Sequence, residues 1–268
     1  MSNALKNRKI RRVDLKRDDS DQLVKKKIKL ASLPPKSKKE FFAIYDFVFD
    51  RNPSVARTFY MSALTGLRYS DCSWLMFSDF ISENSNKFKP HFDVIQQKTY
   101  NMALTRLKNK HIKDNGLDSK NVDISDDIVD KLKSIAAKKA KHTVYINEEI
   151  EFLVQEIISE RKWKKVPENG KDFLFANDHH HSDGLPVCTN GANQHLAKAK
   201  THLKLDYPLG THSFRKYFAN TIISYGGDAV KLRDLLGQKS LDATTLYVNS
   251  TQEELASLIH KFQIETEV

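Results

Sequence analysis

The sequence predicts an α+β protein that is mainly α-helical and contains a small antiparallel β-sheet or hairpin. Apolar residues recur at the i, i+3, i+4, i+7 spacing of a buried helical stripe, as in Phe41, Ile44, Tyr45 and Val48. Residues 91–98 instead alternate with the two-residue period of a strand. Helices therefore dominate the expected fold, and the sheet is short.

The first two helices carry start and stop signals. Residues 37–40, Ser-Lys-Lys-Glu, form a capping box ahead of the first apolar stripe. Asn52 and Pro53 start a second helix, which we expect to end at Gly66 in a left-handed turn. That turn places Arg68 at the start of the next helix.

The strand over 91–98 leads to Lys98, which we expect at a hairpin. Two segments are candidates for the return strand, Asn101–Leu107 and Asn121–Ile124. In the second case the basic stretch Arg106–Lys120 is an insertion.

Helical patterns return from Asp126 and again over Glu148–Trp163. Thr211 is expected to cap a further helix, which carries His212 and Arg215 and which the glycine pair at 226–227 ends.

Three more helices are expected in the C-terminal part. Asp228 caps one that ends at Gly237, and Ser240 caps a short helix that carries Tyr247. The capping box that begins at Thr251 precedes an apolar stripe, so we predict a C-terminal helix over 251–263.

The net charge is concentrated at the N-terminus. Residues 1–39 hold 14 Lys or Arg against 4 Asp, a net of +10, which equals the formal net charge of the whole chain. The remainder is formally neutral. We interpret residues 1–36 as a flexible basic arm that becomes ordered on a polyanion.

Composition excludes some classes of protein. No run approaches about 18 consecutive apolar residues, and no apolar stretch follows the N-terminal charges. Cys72 and Cys188 show no metal-ligand spacing and fit free thiols in a reducing compartment. We expect a cytoplasmic protein, neither membrane-spanning nor secreted.

A chemical constellation stands in the last third of the chain. His212 and Arg215 are three residues apart and so lie on one face of a helix. Leu235-Leu236-Gly237-Gln238 follows, and Tyr247 stands nine residues after the glutamine. Such a set is suited to holding a phosphate against a phenol.

This pattern resembles the catalytic domain of the tyrosine recombinases, the phage integrase family. Thr65–Asp71 resembles its first arginine box, and Lys98 resembles its β-hairpin lysine. His212-x-x-Arg215 matches its second box, and Tyr247 stands in the nucleophile's place. Gln238 departs from the pattern, since the family usually has His or Trp there.

The resemblance implies a set of roles. Tyr247 attacks a DNA phosphodiester to form a 3′-phosphotyrosyl bond, Arg68 and Arg215 bind the non-bridging oxygens, and His212 and Lys98 move protons. The two remaining candidates are Asp71, which supports Arg68, and Gln238, whose amide donates a hydrogen bond to phosphate. No metal, cofactor or ATP is implied.

The domain organisation follows from this comparison. Residues 37–268 form the expected catalytic domain, with 251–263 as an exchange helix that docks on a neighbouring subunit. Arm 1–36 stands in for the separate DNA-binding domain that many family members carry. The DNA-binding residues predicted in the arm are Lys6, Arg8, Lys9, Arg11, Arg12, Lys25, Lys26, Lys27 and Lys29.

The implied partners are double-stranded DNA and further copies of the chain, as a dimer on one site and a tetramer in the synapse, with a DNA-bending protein as an accessory. Plasmid multimer resolution, integration or excision, and inversion are all compatible outcomes. Two alternatives are a type IB topoisomerase, which has a similar pocket, and a non-catalytic DNA-binding protein in which Gln238 marks decay. His179–His181 is interpreted as a solvated or DNA-facing loop, not a metal site.

Overall fold

A computed structural model describes residues 31–82, 85, 87–116, 124–161, 172–177, 182 and 184–238. The chain divides into two units between Ala31 and Ser32, and the fold below belongs to the second. Four predicted features lie wholly or largely outside the described residues: the arm, the histidine triplet 179–181, Tyr247 with its Ser240 cap, and the C-terminal helix 251–263.

The described elements confirm a mainly helical fold with a two-stranded antiparallel sheet. In chain order they are α1 (Lys38–Phe49), α2 (Pro53–Thr65), α3 (Tyr69–Cys72), α4 (Phe77–Phe80), β1 (His91–Ile95), α5 (Gln97–Asp114), α6 (Asp126–Ala140), β2 (Lys141–Tyr145), α7 (Glu148–Arg161), α8 (Thr189–His202), α9 (His212–Ser224) and α10 (Ala229–Leu235).

The capping box of α1 is half formed. Ser37 Oγ accepts a hydrogen bond from the backbone N–H of Glu40 at 3.1 Å, as predicted. The Glu40 carboxylate does not return to Ser37 but accepts from the backbone N–H of Lys36 at 2.6 Å. It also accepts from the hydroxyl of Tyr207 at 2.9 Å, so it ties the helix start to a distant loop.

Both ends of α2 are confirmed. Asn52 Oδ1 accepts from the Val55 N–H at 3.0 Å, and Pro53 occupies the first turn, where its missing N–H costs nothing. Gly66 ends the helix with φ of 69°. A Cβ at Gly66 would lie 2.6 Å from Cδ1 of Phe218, so this position requires glycine both for its backbone angle and for its close packing against α9.

The sheet corrects the predicted hairpin. β1 pairs with β2 in antiparallel register, Phe92 opposite Val144, so the return strand predicted over Asn101–Leu107 is wrong. Most of the other candidate, Asn121–Ile124, lies outside the described residues. Residues 101–107 lie within α5. The partner strand contains the strand-forming run Thr143, Val144 and Tyr145, and it buries Val144 in the core.

Lys98 is also misplaced by the sequence prediction. It lies in the first turn of α5 and not on a hairpin, because the chain becomes helical immediately after β1. The whole connection between the strands, α5 followed by α6, is the insertion.

Three apolar clusters support the fold. One packs the sheet against α7 through residues such as Phe92, Val144 and Leu153. A second joins α1, α2, α8 and the first turn of α9. The third, around Phe218 and Leu236, joins α9 to α10.

The caps near α9 and α10 give mixed results. Thr211 precedes α9 but makes no side-chain cap; Ser213 Oγ instead accepts from the Gly210 N–H at 3.1 Å. Asp228 does cap α10, accepting from the Lys231 N–H at 2.7 Å. Gly237 follows α10 with φ of 62°, as expected of a helix-ending glycine.

None of the helices in the described part of the chain has the length and hydropathy that a membrane span needs.

Candidate active site

Arg68 is positioned by the turn that ends α2. It is the N-cap residue of α3, and its side chain is 15% exposed. Its Nη1 donates to Gln96 Oε1 at 2.7 Å and lies 3.6 Å from Asp71 Oδ2. Asp71 is itself fixed, because its Oδ1 accepts from the Gln97 N–H at 3.0 Å. The guanidinium is therefore held in one orientation with one edge toward solvent.

Gln96 links the elements of the site. It lies between β1 and α5 and is 1% exposed. Its Oε1 accepts from Arg68, and its Nε2 donates to the Leu236 carbonyl at 3.0 Å. Gln96 is not among the site residues predicted from the sequence. The available signal was a polar residue two positions before the candidate Lys98, directly after the alternating strand segment.

Arg215 is fully buried, with 0% of its surface exposed. Its Nη1 donates to the Gly66 carbonyl at 2.5 Å and its Nη2 to the Leu236 carbonyl at 3.1 Å. The side chain thus joins the end of α2 to the end of α10. In this conformation its charge acts on the site from beneath the surface.

His212 lies one turn before Arg215 and is exposed. Desolvation by neighbouring protein atoms, followed by the charges of Arg215, Arg68 and Lys98, lowers the pKa of His212 below its ordinary value. The imidazole is therefore neutral near pH 7, the form that accepts a proton.

His142 on β2 is a second residue near the site that is not predicted from the sequence. A Cβ on Gly237 would lie 2.8 Å from its Nδ1, so the ring packs directly against the turn after α10. Partial burial and then the Arg215 charge lower the pKa of His142, and a hydrogen bond to the Leu235 backbone opposes them. No sequence signal marks this histidine, because only strand pairing brings it here.

An open cleft of about 520 Å³ adjoins these groups. Its lining residues come from the Arg68 turn, the helices α5 and α6, and the turn after α10: Arg68, Lys98, Thr99, Met102, Ala103, Arg106, Leu107, Lys110, Lys139, Gly237 and Gln238. The structure thus brings three predicted residues, Arg68, Lys98 and Gln238, to one cleft. Among the described residues, no group of three or more His, Cys, Asp or Glu is suited to holding a metal ion.

The family follows from comparison with known proteins. The profile described as "Phage integrase family" matches residues 111–254, just over half of the chain. This chain belongs to the phage integrase family. The matched segment includes His212, Arg215, Gln238 and Tyr247, whereas Arg68 and Lys98 precede it.

Curated relatives in this family are tyrosine recombinases. The chain is 23% identical over 109 residues to XerD of Halalkalibacterium halodurans, covering 41% of this chain and 35% of that protein. It is 32% identical over 90 residues to XerC of Listeria monocytogenes, covering 34% and 29%. The matches therefore span about a third of the length of these relatives.

Solved structures show the same fold. The XerA recombinase matches with a TM-score of 0.56 at 14% identity, over 88% of this chain and 68% of that one. The Tn1549 transposon integrase, in complex with a circular intermediate DNA, matches with a TM-score of 0.55 at 14% identity, over 97% and 74%. The mainly helical architecture is thus that of the tyrosine recombinases.

Proposed function

We propose that this chain cuts and rejoins duplex DNA through a transient 3′-phosphotyrosyl bond on Tyr247. One observation carries the proposal: Gln96 and Arg215 tie Arg68 and the turn after α10 into one hydrogen-bonded frame. Tyr247 follows that turn by ten residues, within the segment that matches the family. The segment that leads to Tyr247 therefore begins at the turn whose Leu236 carbonyl accepts hydrogen bonds from Arg215 and from Gln96, the partner of Arg68.

Arg68 is the group that binds the scissile phosphate. Its fork-shaped guanidinium matches two phosphate oxygens, and Asp71 and Gln96 fix its orientation before the ligand arrives. Cations held in advance stabilise the charge that develops in the transition state.

Arg215 contributes in one of two ways. Through its buried charge it raises the electrostatic potential of the site, which needs no movement. Direct contact with a phosphate oxygen requires the Leu236–Gln238 turn to shift, because in the described conformation the guanidinium donates to the Leu236 carbonyl and has no exposed surface.

The proton transfers balance as follows. Neutral His212 accepts the phenolic proton as Tyr247 Oη attacks phosphorus. The bond from phosphorus to the 5′ oxygen breaks, and Lys98 donates a proton to that oxygen to give a 5′ hydroxyl. Rejoining is the reverse with the 5′ hydroxyl of either strand, so no external energy source is consumed.

The pKa of His212 provides a prediction that does not depend on DNA. In the free protein we expect NMR titration to give a midpoint below the ordinary imidazole value of about 6.5. Arg68→Gln removes one of the opposing cations and should raise that midpoint. His212→Gln assigns the resonance, and a midpoint unchanged by Arg68→Gln would contradict the electrostatic coupling.

Gln238 stands in the cleft beside Arg68. We propose that its amide N–H donates to a phosphate oxygen, the part that His or Trp plays at the corresponding position in the family. Glutamine does not titrate, so this position takes no share of the proton transfer.

The remaining parts of the proposal concern assembly. The basic arm, residues 1–36, binds duplex DNA, and the helix over 251–263 docks on a neighbouring copy. Two copies occupy one site and four form the synapse, with a DNA-bending protein as an accessory. The protein then acts on plasmid or nucleoid DNA in the cytoplasm, in resolution, inversion or integration.

A denaturing quench tests this function. Wild-type protein mixed with supercoiled DNA of its own locus should leave protein covalently attached to DNA, and Tyr247→Phe should bind equally well and leave none. An adduct that persists in Tyr247→Phe would remove the nucleophile assignment.

A further inference from the structure

The helices α5 and α6 lie between β1 and β2 along the chain, while the two strands pair directly with each other. All residues of both helices are among those the structure describes. Only Ala103 of α5 and only Ala136 and Ala140 of α6 are buried. The two helices pack against each other. Most of their surface is therefore available for a task other than filling the core.

One face of α5 is cationic and points into the cleft beside Arg68. Lys98, Arg106 and Lys110 recur at intervals of four or eight residues, so they lie along one side of the helix. Lys139 joins them from the end of α6. All four are exposed, and none of the described residues that line the cleft is acidic.

The dimensions suit a nucleic-acid backbone. Lys98 and Lys110 are twelve residues apart, which is about 18 Å along a helix. A DNA strand carries one charge per about 3.4 Å of helix axis, so this face covers roughly five phosphates. Lys98 lies at the N-terminal end of α5, two residues after Gln96, which accepts a hydrogen bond from Arg68. Lys110 lies nearer the C-terminal end of the helix.

We propose that the α5–α6 pair is a phosphate-binding wall that holds the DNA backbone next to the scissile phosphate. Arg106, Lys110 and Lys139 each contact a phosphate, independently of base sequence. The inference rests on the proposed function for its ligand, duplex DNA. It assigns the extra helices to substrate binding and sets the direction in which the backbone leaves Arg68.

Salt dependence of binding measures the number of these contacts. The triple variant Arg106→Gln, Lys110→Gln, Lys139→Gln is compared with wild type on a short fluorescein-labelled duplex of arbitrary sequence. Each lost contact reduces the slope of log K against log salt by about 0.9, so the triple variant should be flatter by about 2.7. Glutamine keeps the helix propensity close to that of lysine and arginine, so folding should be unaffected.

The matched control removes the same charge from the same two helices. Lys108→Gln, Lys131→Gln, Lys138→Gln changes residues that do not line the cleft. This control should change the slope much less than the cleft variant does. An equal change of slope in both variants would mean that only net charge matters. No change in either variant would mean that the α5–α6 pair does not bind phosphate. Either result overturns the inference.

The covalent-adduct assay separates this inference from the proposed function. If wild type forms the adduct and the two slopes match, only the wall is wrong. If wild type forms no adduct and the cleft variant still flattens the slope selectively, the wall binds DNA and only the proposed chemistry is wrong.

Discussion

Gly66→Ala should lower the free energy of unfolding by about 3 kcal/mol and abolish most DNA cleavage. A residue with a Cβ at φ of 69° costs about 1 kcal/mol. The new Cβ also lies 2.6 Å from the Phe218 ring and 2.9 Å from Leu236 Cδ2, and overpacking of this kind costs about 1–3 kcal/mol. Cleavage falls because the Gly66 carbonyl, which accepts from Arg215, and the start of the Arg68 turn must both move.

Gly116→Ala is the matched control for this prediction. Gly116 also has a positive φ, 62°, but a Cβ there meets nothing within 4 Å. Urea denaturation should therefore show a loss of about 1 kcal/mol, the backbone cost alone. Equal losses at both glycines would mean that the packing of α2 against α9 does not constrain the site.

Arg68→Lys should slow formation of the covalent adduct by about 10²–10³-fold, the typical cost of one preorganised transition-state donor. Lysine keeps the positive charge but loses the planar fork that holds two oxygens at once. The native guanidinium also depends on a 2.7 Å hydrogen bond to Gln96, which fixes its direction. Stability should change little, because the side chain reaches the surface of the cleft.

Arg233→Lys controls for a change from arginine to lysine in the same region. Arg233 lies on α10, and its Nη2 pairs with Asp234 Oδ1 at 2.7 Å. Single-turnover adduct formation should remain near the wild-type rate in this variant. A similar rate loss in both variants would argue against a specific role for Arg68.

The sequence predicts well those features that are determined locally. Asn52 and Pro53 start α2 and Gly66 ends it, because capping and positive φ depend only on neighbouring residues. Asp228 caps α10 for the same reason. These local signals were enough to place Arg68 at a helix start.

Features that depend on contacts between residues distant in the chain could not be predicted from the sequence. The strand that pairs with β1 comes after the two helices α5 and α6 in the chain. Segments closer in sequence were therefore predicted as the return strand. Lys98 was therefore expected on a hairpin and lies on α5. Gln96 and His142 have no motif, and only the fold brings them to the turn after α10.

The site itself was partly predictable. Family spacing predicts Arg68, His212 and Arg215 as site residues, and in the structure the charges of the two arginines lower the pKa of His212. Spacing did not indicate that Arg215 is buried beneath Gly66 and Leu236. Burial depends on packing of the third cluster, which no local pattern encodes.

Mapping of the covalent linkage tests the central claim most directly. Wild-type protein is trapped on DNA of its own locus, digested with protease and nuclease, and the cross-linked peptide is sequenced by mass spectrometry. We predict a 3′-phosphate linked to Tyr247. A linkage to another residue, a linkage through a 5′-phosphate, or intact DNA despite full binding would contradict it.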